Sequence, residues 1–345
     1  MKKALSILTA GCLAVSLAAC GSTAASSAAS AADSTASAAE STAASDTAAA
    51  DGQTYKVGIC QLVQHVALDA ATQGFKDALT EQLGDAVTFE EKNAQGDSNT
   101  CTTIINGFVS DNVDLILANA TPALQAAQAG TNTIPVLGTS VTEYGVALGI
   151  DDFDGLVGTN ISGTSDLAPL DEQAGIIKEL FPDAKTVGLL YCSAEPNSQY
   201  QVDTVKASLE ELGYTCEYYA FSDSNDLATV CQSAADASDV IYVPTDNTVA
   251  NNTEIVNNIC QPAGVPVVAG EEGIMSGCGV ATLSISYYDL GYTTGEMAYK
   301  ILVEGQDVTT TPVETAKTVT KKYNAANCEA LNITVPDDYK AISEE

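Results

Sequence analysis

The chain has 345 residues, with 45 acidic side chains against 13 lysines and no arginine, for a net charge of −32. So acidic a surface offers no basic face for neutralising phosphates, which excludes a nucleic-acid partner and keeps the protein dispersed in solvent. One histidine and no paired-ligand cysteine spacing exclude a zinc centre, and no cofactor or metal is expected.

In chain order, Lys2 and Lys3 followed by the apolar run 4–17 predict an export signal. It ends Leu17-Ala18-Ala19-Cys20, the pattern of a bacterial lipobox, so residues 1–19 are expected to be removed and Cys20 to be lipidated. Residues 20–54 are mostly Ala, Ser and Thr and cannot bury enough apolar surface to offset their ordering entropy. They read as a disordered tether with an end-to-end reach of roughly 30 Å. No later stretch approaches the apolar length of a membrane span. The expected location is the outer face of the cytoplasmic membrane, held by the lipid.

The remaining residues, 55–345, have the length of two domains. Lys56-Val57-Gly58-Ile59-Cys60 returns as Thr186-Val187-Gly188-Leu189-Leu190, Asp114-Leu115-Ile116-Leu117 as Asp239-Val240-Ile241-Tyr242, and Ile134-Pro135-Val136 as Val265-Pro266-Val267. Between them, Leu68, Ala71, Phe75 and Leu79 in the first half and Val202, Val205, Leu209 and Leu212 in the second make matching apolar helix faces. The loops Gln95-Gly96-Asp97-Ser98-Asn99 and Ser222-Asp223-Ser224-Asn225 also correspond. Alternating strands and helices with short apolar strands predict an α/β chain of two Rossmann-like lobes, each with a parallel sheet. Lobe one is expected over 55–160 plus about 286–310, and lobe two over 161–285 plus about 311–345. Residues 160–166 read as a hinge, with a second crossing near Ser284–Tyr288. Eight cysteines, Cys60, Cys101, Cys192, Cys216, Cys231, Cys260, Cys278 and Cys328, lie at wide, irregular spacings, often inside apolar patterns. They are expected to be mostly free, buried thiols.

In parallel sheets ligands bind beyond the carboxyl ends of the strands. If the lobes face each other by those ends, six loops form one cleft: 61–65, 118–121 and 138–143 opposite 192–198, 244–248 and 270–273. No lysine falls in them, and the missing guanidinium removes the usual bidentate carboxylate anchor. A ligand carboxylate would rest on backbone N–H groups, helix N-termini and the hydroxyls of Thr121, Thr139, Ser140, Thr164, Ser165 and Ser198. Asp166, Glu195, Asp246, Glu271 and Glu272 would face an ammonium. Gln64, His65, Asn197 and Asn247 complete the candidate set, and Tyr144, Tyr200, Tyr287 and Tyr288 stand where a ring could stack. This balance suits a small zwitterion or cation. Each group also has a structural reading as cap, turn or lobe-to-lobe latch. An enzyme is disfavoured: the first strand ends without a Gly-x-Gly-x-x-Gly turn, there is no Walker loop or Gly-x-Ser-x-Gly elbow, and the histidine has no evident nucleophile.

Several of these segments carry a resemblance. Gln64-His65-x-Ala67-Leu68-Asp69, Asn93-Ala94-Gln95-Gly96-Asp97, Ala120-Thr121-Pro122-Ala123, Gly163-Thr164-Ser165-Asp166 and, most specifically, Val243-Pro244-Thr245-Asp246-Asn247-Thr248-Val249 resemble the ABC-transporter substrate-binding proteins that include tryptophan- and tyrosine-import receptors. The resemblance implies a type I periplasmic-binding fold with a multi-strand hinge. It also implies a binding role without catalysis, an aromatic amino acid as ligand, and delivery to an ABC permease and its ATPase. A monomer is expected. Val66, Glu143-Tyr144 and Ser286 stand where relatives commonly carry Pro, Asp-Pro and Asp. A sensing or adhesion lipoprotein of the same fold is the alternative.

Overall fold

The computed structural model describes residues 52–342; the signal, Cys20 and nearly all of the tether lie outside the described residues. The first half runs β1 (Tyr55–Gln61), α1 (Val66–Leu83), β2 (Val87–Asn93), α2 (Ser98–Ser110), β3 (Leu115–Asn119), α3 (Thr121–Gly130), β4 (Val136–Val141), α4 (Tyr144–Leu148) and β5 (Ile161–Ser165). The second runs α5 (Leu170–Leu180), β6 (Thr186–Cys192), α6 (Pro196–Glu211), β7 (Thr215–Phe221), α7 (Ser224–Ala237), β8 (Val240–Val243), α8 (Asn247–Ala250), α9 (Thr253–Ala263), β9 (Val267–Ala269), α10 (Glu272–Cys278) and β10 (Ala281–Ser284). The chain ends with α11 (Tyr287–Leu302), β11 (Glu314–Thr315), β12 (Thr320–Tyr323), α12 (Ala325–Ala330) and β13 (Lys340–Ala341).

Two sheets result, ordered β2-β1-β3-β4-β5-β11 and β7-β6-β8-β9-β10-β12-β13. The first five strands of each follow the same order and are parallel, so the sequence repeat is a repeat of topology. Small polar devices repeat as well. Asp114 accepts the Lys56 amide and Asp239 accepts the Lys185 and Thr186 amides, each tying the entry of one strand to its neighbour. Asp97 and Asp223 cap α2 and α7, which explains the paired loops before those helices. The α6 face departs from the repeat: Val202, Val205 and Leu209 are buried, but the helix stops at Glu211 and Leu212 is exposed.

Both faces of each sheet are covered. In sheet one, Val57, Ile59, Leu115 and Leu117 pack with Phe75, Leu79 and Met297 of α1 and α11, while Cys60, Ile116 and Val136 pack with Cys101, Ile105, Phe108 and Leu124 of α2 and α3. Sheet two is sandwiched in the same way, with α5 and α6 on one face and α7, α9 and α10 on the other. All eight cysteines are free and buried in these layers. Helices α1 and α11 are unusually close: a Cβ on Gly291 would fall 1.9 Å from the Ala71 carbonyl oxygen, and one on Gly74 would fall 2.1 Å from that of Tyr288. Only glycine permits that backbone approach, which seats α11, despite its late place in the chain, firmly on sheet one.

The lobe boundaries differ from the expected ones. Residues 161–165 form β5, hydrogen-bonded to β4, so the chain leaves sheet one only after Ser165. It returns after Ser284 to form α11, adds β11 beside β5, and crosses a third time before β12 pairs antiparallel with β10. Thus 311–315 belongs with sheet one. The polar run 161–165 looked like a linker because its hydroxyls are satisfied internally: Ser162 donates to the Thr311 carbonyl, Thr164 meets Thr139 and Thr294, and Ser165 donates to the Thr142 carbonyl.

Candidate functional site

The strand register gathers the polar loops. Asn119 ends β3 beside Thr139 of β4, Ser140 follows, and the Asp166 amide bonds the Val141 carbonyl. These ends lie side by side on sheet one. Helix α3 starts at the same edge, and its first-turn N–H groups have no carbonyl within the helix. Two non-glycine residues here hold left-handed backbone, Ala120 (φ 90°) and Ser140 (φ 55°), a conformation kept only where the surroundings over-determine it. From sheet two come Glu195 after β6 with Asn197 and Ser198 in the first turn of α6, and Asp246 after β8 with Asn247 opening α8. The two sides meet where His65 Nε2 lies 3.3 Å from Asn247 Oδ1. Beside this contact a crevice of about 220 Å³ is lined by Gln64, His65 and Val66 from one lobe and Asn251, Gly273 and Ser276 from the other.

Most of the expected carboxylates are occupied. Glu195 accepts the Thr248 amide and hydroxyl on one oxygen and the Asn247 amide and side chain on the other. Asp246 accepts the Cys192 amide (2.7 Å) and, as the cap of α8, the Val249 amide (2.9 Å). Burial, with the nearby Glu195 charge, pushes the Asp246 carboxyl up to about 8. Glu271 caps α10 through the Gly273 and Ile274 amides, and burial lifts it to about 7. Glu272 turns to Ser284 and Lys322. Ser165 braces the first crossing through the Thr142 carbonyl and the Leu167 amide, and the Thr139 and Thr164 hydroxyls pair with each other near Thr294 of α11. Gln64 is exposed.

Asp166 is different. Its Oδ2 accepts the Tyr287 hydroxyl at 2.8 Å, but Oδ1 is buried without a partner. Burial raises its carboxyl above the usual range, against the Tyr287 hydroxyl, the Thr142 hydroxyl and its own amide, all of which favour the charged form. Buried, unpartnered atoms also include Ser140 Oγ, Asn197 Oδ1, His65 Nδ1 and Asn119 Oδ1, the last on a residue outside the expected set. Its signal in the sequence was an amide ending the apolar run Leu115-Ile116-Leu117-Ala118.

The hydrogen bonds around these groups determine their polarity. Asn119 Nδ2 donates to the Leu68 carbonyl and Thr72 hydroxyl, and Asn197 Nδ2 donates to the Thr245 carbonyl and Glu195, so each Oδ1 is an acceptor. Asn247 Nδ2 is taken by Glu195, so its Oδ1 accepts a hydrogen bond from His65 Nε2–H, which leaves Nδ1 of the neutral ring as an acceptor too. Burying unpaired polar atoms is costly. Asp166 Oδ1, Asn119 Oδ1 and Asn197 Oδ1 are thus buried atoms that can each still accept a hydrogen bond. Of the tyrosines, Tyr287 bonds Asp166. Tyr144 fills the sheet-one core near Gly138 and Gly163, Tyr200 packs against the sheet-two core, and Tyr288 bonds Asp77.

Residues 56–345 match the family model of the ABC transporter substrate binding protein. The chain belongs to that family. This binding protein is 35% identical over 337 residues to a tyrosine-binding protein of Clostridioides difficile (strain R20291), covering 96% of the present chain and 93% of the relative. A solved ABC domain from Streptococcus pneumoniae in complex with L-Trp is 31% identical and superposes with a TM-score of 0.80 over 84% of this chain and all of that one. A ligand-free, open substrate-binding protein with adhesive properties from Clostridium difficile is 37% identical, covers 85% of this chain and all of its own, and superposes at only 0.65. The fold of the present chain is the type I periplasmic-binding arrangement of two α/β lobes, and its family is one of binding proteins rather than enzymes.

Proposed function

We propose that the protein is the lipid-anchored, extracytoplasmic receptor of an ABC importer and that its cleft closes on an aromatic amino acid, which it delivers to the permease. Asp166 Oδ1 takes the α-ammonium, helped by Asn119 and Ser140. Thr121 and the first-turn amides of α3 take the carboxylate, which needs no arginine. Asp246, Glu195 and Glu271 hold the opposite wall in shape through the backbone amides they cap. Closure removes water, which strengthens the charge-assisted contacts.

One observation carries the reading: a buried carboxylate oxygen without a partner at the first crossing between lobes, beside strand ends that carry the unpartnered Asn119 Oδ1 and Ser140 Oγ. The tyrosine- and L-Trp-binding relatives support the amino-acid class. Calorimetry against the amino acids, nucleosides and sugars tests it. Tyrosine or tryptophan should bind with one-to-one stoichiometry, and binding of a sugar or nucleoside with no response to any amino acid would overturn it. Surface adhesion is a second role, favoured by the adhesive relative. It would persist in a variant that no longer binds ligand, whereas import would stop.

A further inference from the structure

Asn197 raises a question of specificity. The residue is buried in the first turn of α6, on the lobe-two side of the cleft. Its amide orientation is locked: Nδ2 lies 3.0 Å from the Thr245 carbonyl and 3.3 Å from Glu195 Oε2, and both are acceptors. Flipping the amide would set its oxygen against two oxygens. The unpaired end of the amide is therefore always Oδ1, which is buried and without a partner. Glu195 Oε2, which holds Asn197, also holds Asn247, and Asn247 reaches His65 of the other lobe, so Asn197 lies one residue from the seam between lobes. The neighbouring carboxylates of Glu195 and Asp246 are not free, since their oxygens are filled by backbone and side-chain donors.

On the reading above, with the ammonium and carboxylate held by sheet one, the ligand's side chain is left to face lobe two. We infer that Asn197 Oδ1 receives a neutral hydrogen-bond donor at the far end of the ligand's side chain, so that the receptor accepts phenol or indole rings and rejects the phenyl ring that has no such donor. The inference rests on the aromatic amino-acid reading above and adds the basis of selection within that class. The physical reason is an asymmetry. An apolar pocket barely distinguishes rings that differ by one polar atom, whereas a buried acceptor left unpaired by the wrong ligand costs its full desolvation.

The wild-type protein can be titrated with tyrosine, tryptophan, phenylalanine, 4-fluorophenylalanine and 4-aminophenylalanine. Fluorine preserves ring size without a donor, and the amino group restores the donor. Tyrosine, tryptophan or both, together with 4-aminophenylalanine, should bind about ten- to a hundred-fold more tightly than phenylalanine and its fluoro analogue. In Asn197→Ala that ratio should collapse toward one through weaker binding of the donor-bearing ligands, with phenylalanine little changed. Equal wild-type affinity for tyrosine, phenylalanine and 4-fluorophenylalanine would overturn the inference and leave the aromatic reading standing. A ratio that survives in folded Asn197→Ala, or an equal loss for every ligand, would also overturn it, the latter marking a purely structural residue. Failure of all five to bind would remove both readings. If Asn197→Ala does not fold, the analogue series in the wild type decides alone.

Discussion

Asp166→Asn separates a ligand anchor from a framework carboxylate. The substitution keeps volume, and an amide oxygen can still accept the Tyr287 hydroxyl that now bonds Oδ2 at 2.8 Å. The amide nitrogen would then occupy the place of Oδ1, turning an acceptor into a donor toward the ligand's ammonium. Removing one partner of a buried, hydrogen-bonded charge pair costs about 2–5 kcal/mol. Because the amide still fills the space, the lower part of that range, about 2–4 kcal/mol, is expected here, a loss of roughly 30- to 1,000-fold in affinity. The ligand-free protein should respond in the opposite direction. Burial raises the Asp166 carboxyl, so the folded state holds its proton more readily than the unfolded chain does. Such a group contributes stability below its unfolded value and loses it as the pH rises through the raised folded value. At neutral pH the bare charge is a net cost, and asparagine removes it. Calorimetry should therefore show weakened binding, and a thermal melt without ligand should show an equal or higher midpoint. Undiminished affinity, or a melting point that falls along with affinity, would refute the assignment.

Three further outcomes follow from other parts of the molecule. Burial lowers the pKa of His65 from 6.5, and the ring bonds Asn247 of the other lobe. Its support for closure should be complete above pH 6.5 and decline as the pH falls through its lowered value; a His65→Gln variant titrated with ligand over the same range should lack that component of the decline. Gly291→Ala must push α1 and α11 apart to clear the Ala71 carbonyl. Urea unfolding should register a loss of about 1–3 kcal/mol, and unchanged stability would contradict the close helix pair. The eight cysteines of the described fold are buried, and burial pushes Cys192, Cys216 and Cys328 up to about 11. A thiol reagent at about pH 8 should leave all eight unmodified in the native protein and titrate them once it is unfolded.

Much of this was legible in the chain itself. The duplicated Val-Gly-Ile and Asp-Leu-Ile strands, the apolar faces of α1 and α6 and the capping aspartates before α2 and α7 are local patterns, because period, burial and capping depend on neighbours a few residues away. That β5 belongs to sheet one was hidden, since its Ser and Thr hydroxyls are satisfied by Thr142, Thr294 and Thr311, which the sequence does not associate with it. The same limit applied to the carboxylates at the strand ends. Asp166, Glu195, Asp246 and Glu271 read alike as candidate anchors, but only the assembled fold determines which backbone amides come within reach of each. Three of them are filled from α8, α10 and the β6 loop, while Asp166, at the exit from β5, meets a tyrosine hydroxyl contributed by a helix over a hundred residues away and keeps one oxygen free. Sequence alone determined which polar residues stand at the strand ends. The tertiary structure decided which atoms remain available for a ligand, because hydrogen-bond saturation is a property of spatial neighbours.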